Sequence, residues 1–359
     1  MALSRRKFVA FAATTVLLAF GLMLGGLLAA DVYLHAKAER SAGLNRAGYR
    51  GPVAGAKRPG ERRVVMLGGS TVFGYGVLWN EALPAVLERL LNEILGDGAV
   101  RMVNLGYNGE GAYAMLPTLE DFEYLGPDVV CLYPGDTDLM GDAGPNTAVY
   151  RHTSAVFRLT GYFPILPLAL TEKAMALRSG GHLGEAYASL LENGKPKPVF
   201  QPSLSQRASA AALDAVASLT NTMGRQLDRV SAVKAPEAGL RGPQRCDAPW
   251  IHYCDAVFSA IQYALQRGRP VVVMSAPLGS DGDGRARQLL QQAALAGLLA
   301  RNFENDPRVT FVDLSRAVDP SDPALAFDGN HLTSTGNLIV AKTLVEPVRR
   351  ATNLRTPSP

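Results

Sequence analysis

The sequence predicts an α/β protein: a parallel sheet with helices on both faces, led by an apolar helix and interrupted by a long insertion. Three observations carry this expectation. Short apolar runs alternate with stretches of helical length in two blocks, about 61–140 and 250–350, the pattern of βα units in a parallel sheet. Ahead of both blocks, Phe8 to Ala30 is a run of 23 residues without a charge. Between them, about 140–248, the alternation stops and Gly, Pro and Ala are scattered, which reads as a cap or lid.

At 359 residues, 47% hydrophobic and with a formal charge of +4, the chain can bury a sizeable core and does not have a disordered composition. No basic stripe with interleaved aromatics occurs, so a nucleic-acid partner is not expected. The apolar run 8–30 is long enough as a helix to cross a bilayer core of about 30 Å. Arg5, Arg6 and Lys7 precede it and Asp31 follows it. The positive-inside rule therefore leaves residues 1–7 in the cytoplasm and places the rest outside it, in the periplasm. A retained anchor fits the length of the run better than a cleaved signal, although Ser4–Phe8 resembles a twin-arginine export motif and Ala36-Lys37-Ala38 a small-residue cleavage site. Residues 31–60 read as a tether, since no clear periodicity runs through them.

In the first block, Arg62–Leu67 reads as a buried strand closed by a glycine turn. A helix at about 81–95, a strand at 100–104, a helix at about 111–125 and a strand at 128–133 follow. The second block gives a helix at about 250–267, a strand at 270–275, a helix at about 285–303, a strand at 309–314 and a helix at about 335–350. The α/β domain thus spans 61–350, with a disordered tail at 351–359. Inside the insertion Tyr162–Leu170 is strongly apolar but too short and proline-broken to span a bilayer. It reads as a buried cap segment or as a patch against membrane or acyl chain. Cys131, in an apolar run, reads as core. Cys246 and Cys254, eight residues apart, are candidates for a disulfide that geometry must decide.

Two short segments carry the chemistry. Ser70, in Gly68-Gly69-Ser70-Thr71, stands at the carboxyl end of the first strand, where open α/β sheets place their sites. Asp328, in Asp328-Gly329-Asn330-His331, stands three residues before His331, close enough to orient it and stabilise its imidazolium while it takes the Ser70 proton. The turn is not a phosphate loop: Gly69 to Gly74 is followed by Tyr75 and Gly76, with no lysine. Nor is it the Gly-x-Ser-x-Gly elbow, since Val72 holds the second glycine position. His35, His152, His182 and His252 have no partner at metal-ligand spacing, so neither metal nor cofactor is expected.

Two further strand ends, Asn104-Leu105-Gly106-Tyr107-Asn108-Gly109 and Pro134-Gly135-Asp136-Thr137-Asp138, join these blocks. Together the four resemble the SGNH (GDSL-type) hydrolase family, with Ser70, Gly109, Asp328 and His331 at matching positions and Leu332-Thr333 and Gly336-Asn337 as a familiar helix entry. The resemblance implies a flavodoxin-like three-layer α/β/α fold. It also implies an oxyanion hole built from the Ser70 and Gly109 backbone N–H groups and an asparagine side chain. This chain has Thr137 where the family has that asparagine; its hydroxyl is a shorter donor. The expectation is a membrane-anchored, extracytoplasmic serine hydrolase cleaving acyl or acetyl esters, with an acyl ester or acetylated glycan as substrate and the membrane as partner through 8–30. Two rivals stand beside it: an acyltransferase or deacetylase acting on an envelope polysaccharide, and a non-catalytic binding or assembly protein that keeps the fold.

Overall fold

The computed structural model describes residues 5–41, 43–135, 138, 155–179, 246–279 and 283–354, with a few positions between 203 and 216. Its elements are helix α1 (Arg5–Ser41), strand β1 (Arg62–Gly68), helices α2 (Ser70–Phe73) and α3 (Leu83–Leu95), strand β2 (Val100–Asn104), helix α4 (Met115–Asp121) and strand β3 (Val129–Tyr133). They continue as helices α5 (Ala155–Thr160), α6 (Leu166–Ser179) and α7 (Ile251–Gln266), strand β4 (Val271–Met274), helix α8 (Asp283–Phe303), strand β5 (Val309–Val312) and helix α9 (Ser334–Thr352). The five strands form one sheet in the order β2-β1-β3-β4-β5, and every pairing is parallel. That is the flavodoxin-like order, whose switch point lies between β1 and β3.

Side chains alternate across the sheet, as the pleat requires. Val64 and Met66 of β1 pack with Val129, Cys131, Val272 and Met274 against Leu87 and Leu91 of α3 and Val340 and Leu344 of α9. The intervening residues Val65, Leu67, Val130, Leu132 and Val273 are equally buried, on the face covered by α4, α7 and α8. Helices on both faces bury the central strands β3 and β4 and most of β1 on both sides, which is why these read as continuous apolar runs. Cys131 lies in this core as a free thiol, and burial pushes its pKa up to about 12. Cys246 and Cys254, at the entry to α7, are joined by a disulfide with Cα atoms 6.0 Å apart.

Two expectations need correction. The helix expected over 111–125 is broken into a 3₁₀ turn (Ala112–Ala114), α4 and a second 3₁₀ turn (Glu123–Leu125). Pro117 has no N–H to give the Tyr113 carbonyl, so the α-helix starts only at Met115, with the proline in its first turn. The expected tether 31–60 is no free linker either. Residues 31–41 complete α1, and the following stretch is built into the α/β domain, with Tyr49 1% and Arg50 5% exposed. Tyr49 packs edge-on against Phe122 at 5.7 Å, and the Arg50 N–H donates to the Asn104 carbonyl at the end of β2. These are aromatic and polar contacts, to which a search for apolar periodicity is blind.

The chain divides into two compact units, the α/β unit (42–162 and 227–359) and a unit of residues 1–41 and 163–226. In the second unit α1 is the one helix, among the described residues, long and apolar enough to cross a membrane. Its side chains Phe8, Phe11, Leu17 and Leu22 are 62–78% exposed. At its carboxyl end the unit turns inward. Asp31 accepts the Leu166 N–H at 2.6 Å, and His35 Nε2 lies 2.6 Å from the Phe163 carbonyl oxygen. Phe163, Ile165 and Leu166 are buried there, so this part of the apolar segment 162–170 is packed inside the protein. Most of the insertion expected over 140–248 lies outside the described residues.

Candidate active site

Ser70 opens α2 immediately after β1, so its backbone N–H is among the orphan donors of a helix start. The turn is braced from behind by contacts distant in sequence. The Arg50 guanidinium, stacked 4.5 Å over the Phe73 ring, donates to the carbonyls of Phe73, Gly74 and Val77. Burial alone lowers its pKa to about 10, which leaves it charged at neutral pH. Asn104 donates to the Val72 carbonyl at 2.9 Å and accepts the Gly106 N–H at 3.0 Å. Gly68 has no side chain because the backbone runs too close: a Cβ there would stand 2.6 Å from Val72 and 2.7 Å from the Tyr133 carbonyl oxygen.

His331 and Asp328 sit on a loop that is held by its own bonds. Ala326 and Leu332 form an isolated antiparallel bridge, and Thr333 caps α9 by accepting the Gly336 N–H. Between them Gly329 takes φ of +80°, a turn conformation that favours glycine. Asp328 Oδ1 accepts the backbone N–H of His331 at 2.7 Å and of Asn330 at 3.1 Å, while Oδ2 meets His331 Nδ1 at 2.6 Å. Across the loop, His331 Nε2 lies 2.7 Å from Ser70 Oγ. Burial opposes ionisation of Asp328, but these hydrogen bonds, the backbone one first, outweigh it and hold the carboxyl below its usual range. A carboxylate on Nδ1 fixes the tautomer in which Nε2 is a base facing the hydroxyl.

The loop after β2 carries Gly109, exposed and with φ of +77°. It is tied at both ends: the Tyr107 N–H donates to the Gly68 carbonyl at 3.0 Å, and Asp138, beyond β3, accepts the Ala112 N–H at 3.0 Å. Glu110 is buried beside it. A cleft of about 10 Å³ lies between these loops, lined by Gly69, Ser70, Thr71, Glu110, Gly111, Pro134, Gly135 and Asp138 among others. It has room for about one water-sized group. His331 is not in its lining and faces Ser70 from elsewhere.

The structure thus brings Ser70, His331 and Asp328 into one relay and ties the Gly109 loop to the strand that carries Ser70. Thr137, with Asp136, lies outside the described residues. Arg50, Asn104, Glu110 and Asp138 were not legible as site residues. Asn104 and Asp138 had a signal, their positions in the two strand-end blocks. Of the other histidines, His35 is bonded within its own unit, His252 is exposed on α7, and His152 and His182 fall outside the described residues. Among the described residues no group of three or more His, Cys, Asp or Glu could hold a metal ion.

Solved structures similar to this one include a member of the lipolytic G-D-S-L family from Veillonella parvula, at a TM-score of 0.42 and 11% identity, covering 80% of this chain and 99% of that one. A catalytic mutant of an acetylxylan esterase from Geobacillus stearothermophilus is similar at a TM-score of 0.36 and 13% identity, covering 82% and 95%. No family model matches the sequence, and no curated protein matches it. At such scores the likeness carries no functional weight; the geometry of Ser70, His331 and Asp328 does.

Proposed function

We propose that this protein is a serine ester hydrolase, held in the cytoplasmic membrane by α1 with its α/β unit outside the cytoplasm. One observation carries the reading: the unbroken relay from Ser70 Oγ through His331 to Asp328, with steps of 2.7 and 2.6 Å. His331 Nε2 takes the hydroxyl proton as Ser70 Oγ attacks the ester carbonyl, and Asp328 stabilises the imidazolium. The Ser70 and Gly109 N–H groups hold the oxyanion, with the Thr137 hydroxyl as third donor. His331 then returns its proton to the departing alcohol oxygen as the C–O bond breaks. Water, activated by the same imidazole, releases the acid from Ser70.

The small cleft beside Ser70 favours a short acyl group, acetyl before longer chains. The disulfide at Cys246 and Cys254 fits an oxidising compartment, as does the charge order around α1. The test is a panel of acyl esters of increasing chain length, hydrolysed by the full-length chain in detergent beside Ser70→Ala. Acetyl esters should turn over fastest, and Ser70→Ala should hydrolyse none. Equal turnover by Ser70→Ala would refute the reading.

A further inference from the structure

Tyr75 and Phe327 are exposed aromatic rings, 40% and 45% accessible, and both lie against the imidazole of His331. Their ring centroids stand 4.9 and 5.8 Å from it, the Phe327 ring nearly parallel at 18°, and the two are 6.2 Å apart. Both are tied to the segment that follows Ser70. Tyr75 donates its backbone N–H to the Ser70 carbonyl at 3.0 Å. Phe327 covers Gly76, where any Cβ would run into the ring. Aromatic rings at the rim of a site and open to solvent are the usual mark of a binding surface.

Which half of an ester they meet follows from the proton's path. His331 must come within about 3 Å of the alcohol oxygen to protonate it, so the alcohol moiety passes the imidazole and, with it, Tyr75 and Phe327. The acyl moiety goes to the other side of Ser70, into the cleft with room for little more than a methyl group. The alcohol side combines flat apolar faces with a hydrogen-bonding group, the Tyr75 hydroxyl. That pairing suits a ring with an apolar C–H face and equatorial hydroxyls.

We infer that Tyr75 and Phe327 form a platform for the pyranose ring of an O-acetylated carbohydrate, seated so that its ester oxygen lies at His331. This rests on the hydrolytic reading above and names its substrate class. The test compares kcat/KM of the full-length chain for an acetylated xylo-oligosaccharide, phenyl acetate and ethyl acetate. Tyr75→Ala and Phe327→Ala should each lower the sugar-to-ethyl ratio about five- to tenfold, the worth of one ring contact. Phe327→Trp should restore it, and Tyr124→Ala, an exposed ring at the opposite end of the sheet, should leave it alone. A fall shared equally by all three esters would make Phe327 a prop for His331 and overturn the platform; so would phenyl acetate tracking the sugar. Calorimetry with Ser70→Ala separates the two readings. Sugar binding that disappears with Phe327→Ala upholds the platform even in a protein that hydrolyses nothing, whereas no binding by Ser70→Ala refutes it.

Discussion

The two halves of the relay are held in opposite ways. Ser70 stands on a turn braced from outside, by Arg50 and Asn104, residues 20 and 34 positions away in sequence. Asp328 and His331 stand on a loop that braces itself: carboxylate, backbone N–H groups, Gly329 and the cap at Thr333 all fall within six residues. The position of Ser70 is thus a property of the packed fold, and that of Asp328 and His331 a property of local sequence. Damage to the first half should therefore affect stability and rate together, and damage to the second rate alone.

The largest expected effect lies in the second half. Asp328→Asn keeps the shape but removes the charge that fixes the imidazole, and should lower kcat by about 10⁴-fold with little change in the thermal midpoint. A midpoint that falls with the rate would show the loop to depend on packing after all. In the first half, Arg50→Ala removes a charged donor from the carbonyls of Phe73, Gly74 and Val77 and should destabilise the α/β unit by about 2 kcal/mol, with a fall in kcat, read by thermal denaturation and initial rates. Arg50→Lys keeps the charge but not the fork that reaches several carbonyls, and should recover only part of the loss.

Smaller effects sharpen the contrast. Asp138→Ala frees the Ala112 N–H and loosens the Gly109 loop, and should lower kcat about tenfold with KM nearly unchanged, since the oxyanion donors act in the transition state. The pH dependence is smaller still. Asp328 is ionised throughout the neutral range and its folded pKa is depressed. Its stabilising contribution is therefore complete above the unfolded value of about 3.9 and is lost only as pH falls below it. The Asp328 carboxyl, followed by carbon-13 NMR, should stay largely ionised from pH 7 down to about pH 4 and protonate below that. Protonation already at pH 5 to 6 would contradict the depressed carboxyl.

The same contrast explains what was legible in the sequence. The strands announced themselves because each is an apolar run ended by a turn. Their parallel arrangement followed from their alternation with helices, and Asp328 and His331 from their spacing in one loop. Arg50 was not legible: it lies in a segment without periodicity, and its role exists only once the chain has brought it beneath Phe73 and Gly74. Asn104 and Asp138 were hidden for the same reason, since each bonds to backbone that belongs to another strand's loop. Tyr75 and Phe327, 252 residues apart, become a pair only through His331.

The most direct test of the relay is labelling with a serine-reactive phosphonate and mapping of the modified residue by mass spectrometry. A single adduct on Ser70 is predicted, lost in Ser70→Ala and slowed by orders of magnitude in His331→Ala, because the hydroxyl is nucleophilic only with Nε2 to accept its proton. An adduct on any other residue, or undiminished labelling of Ser70 in His331→Ala, would contradict the account.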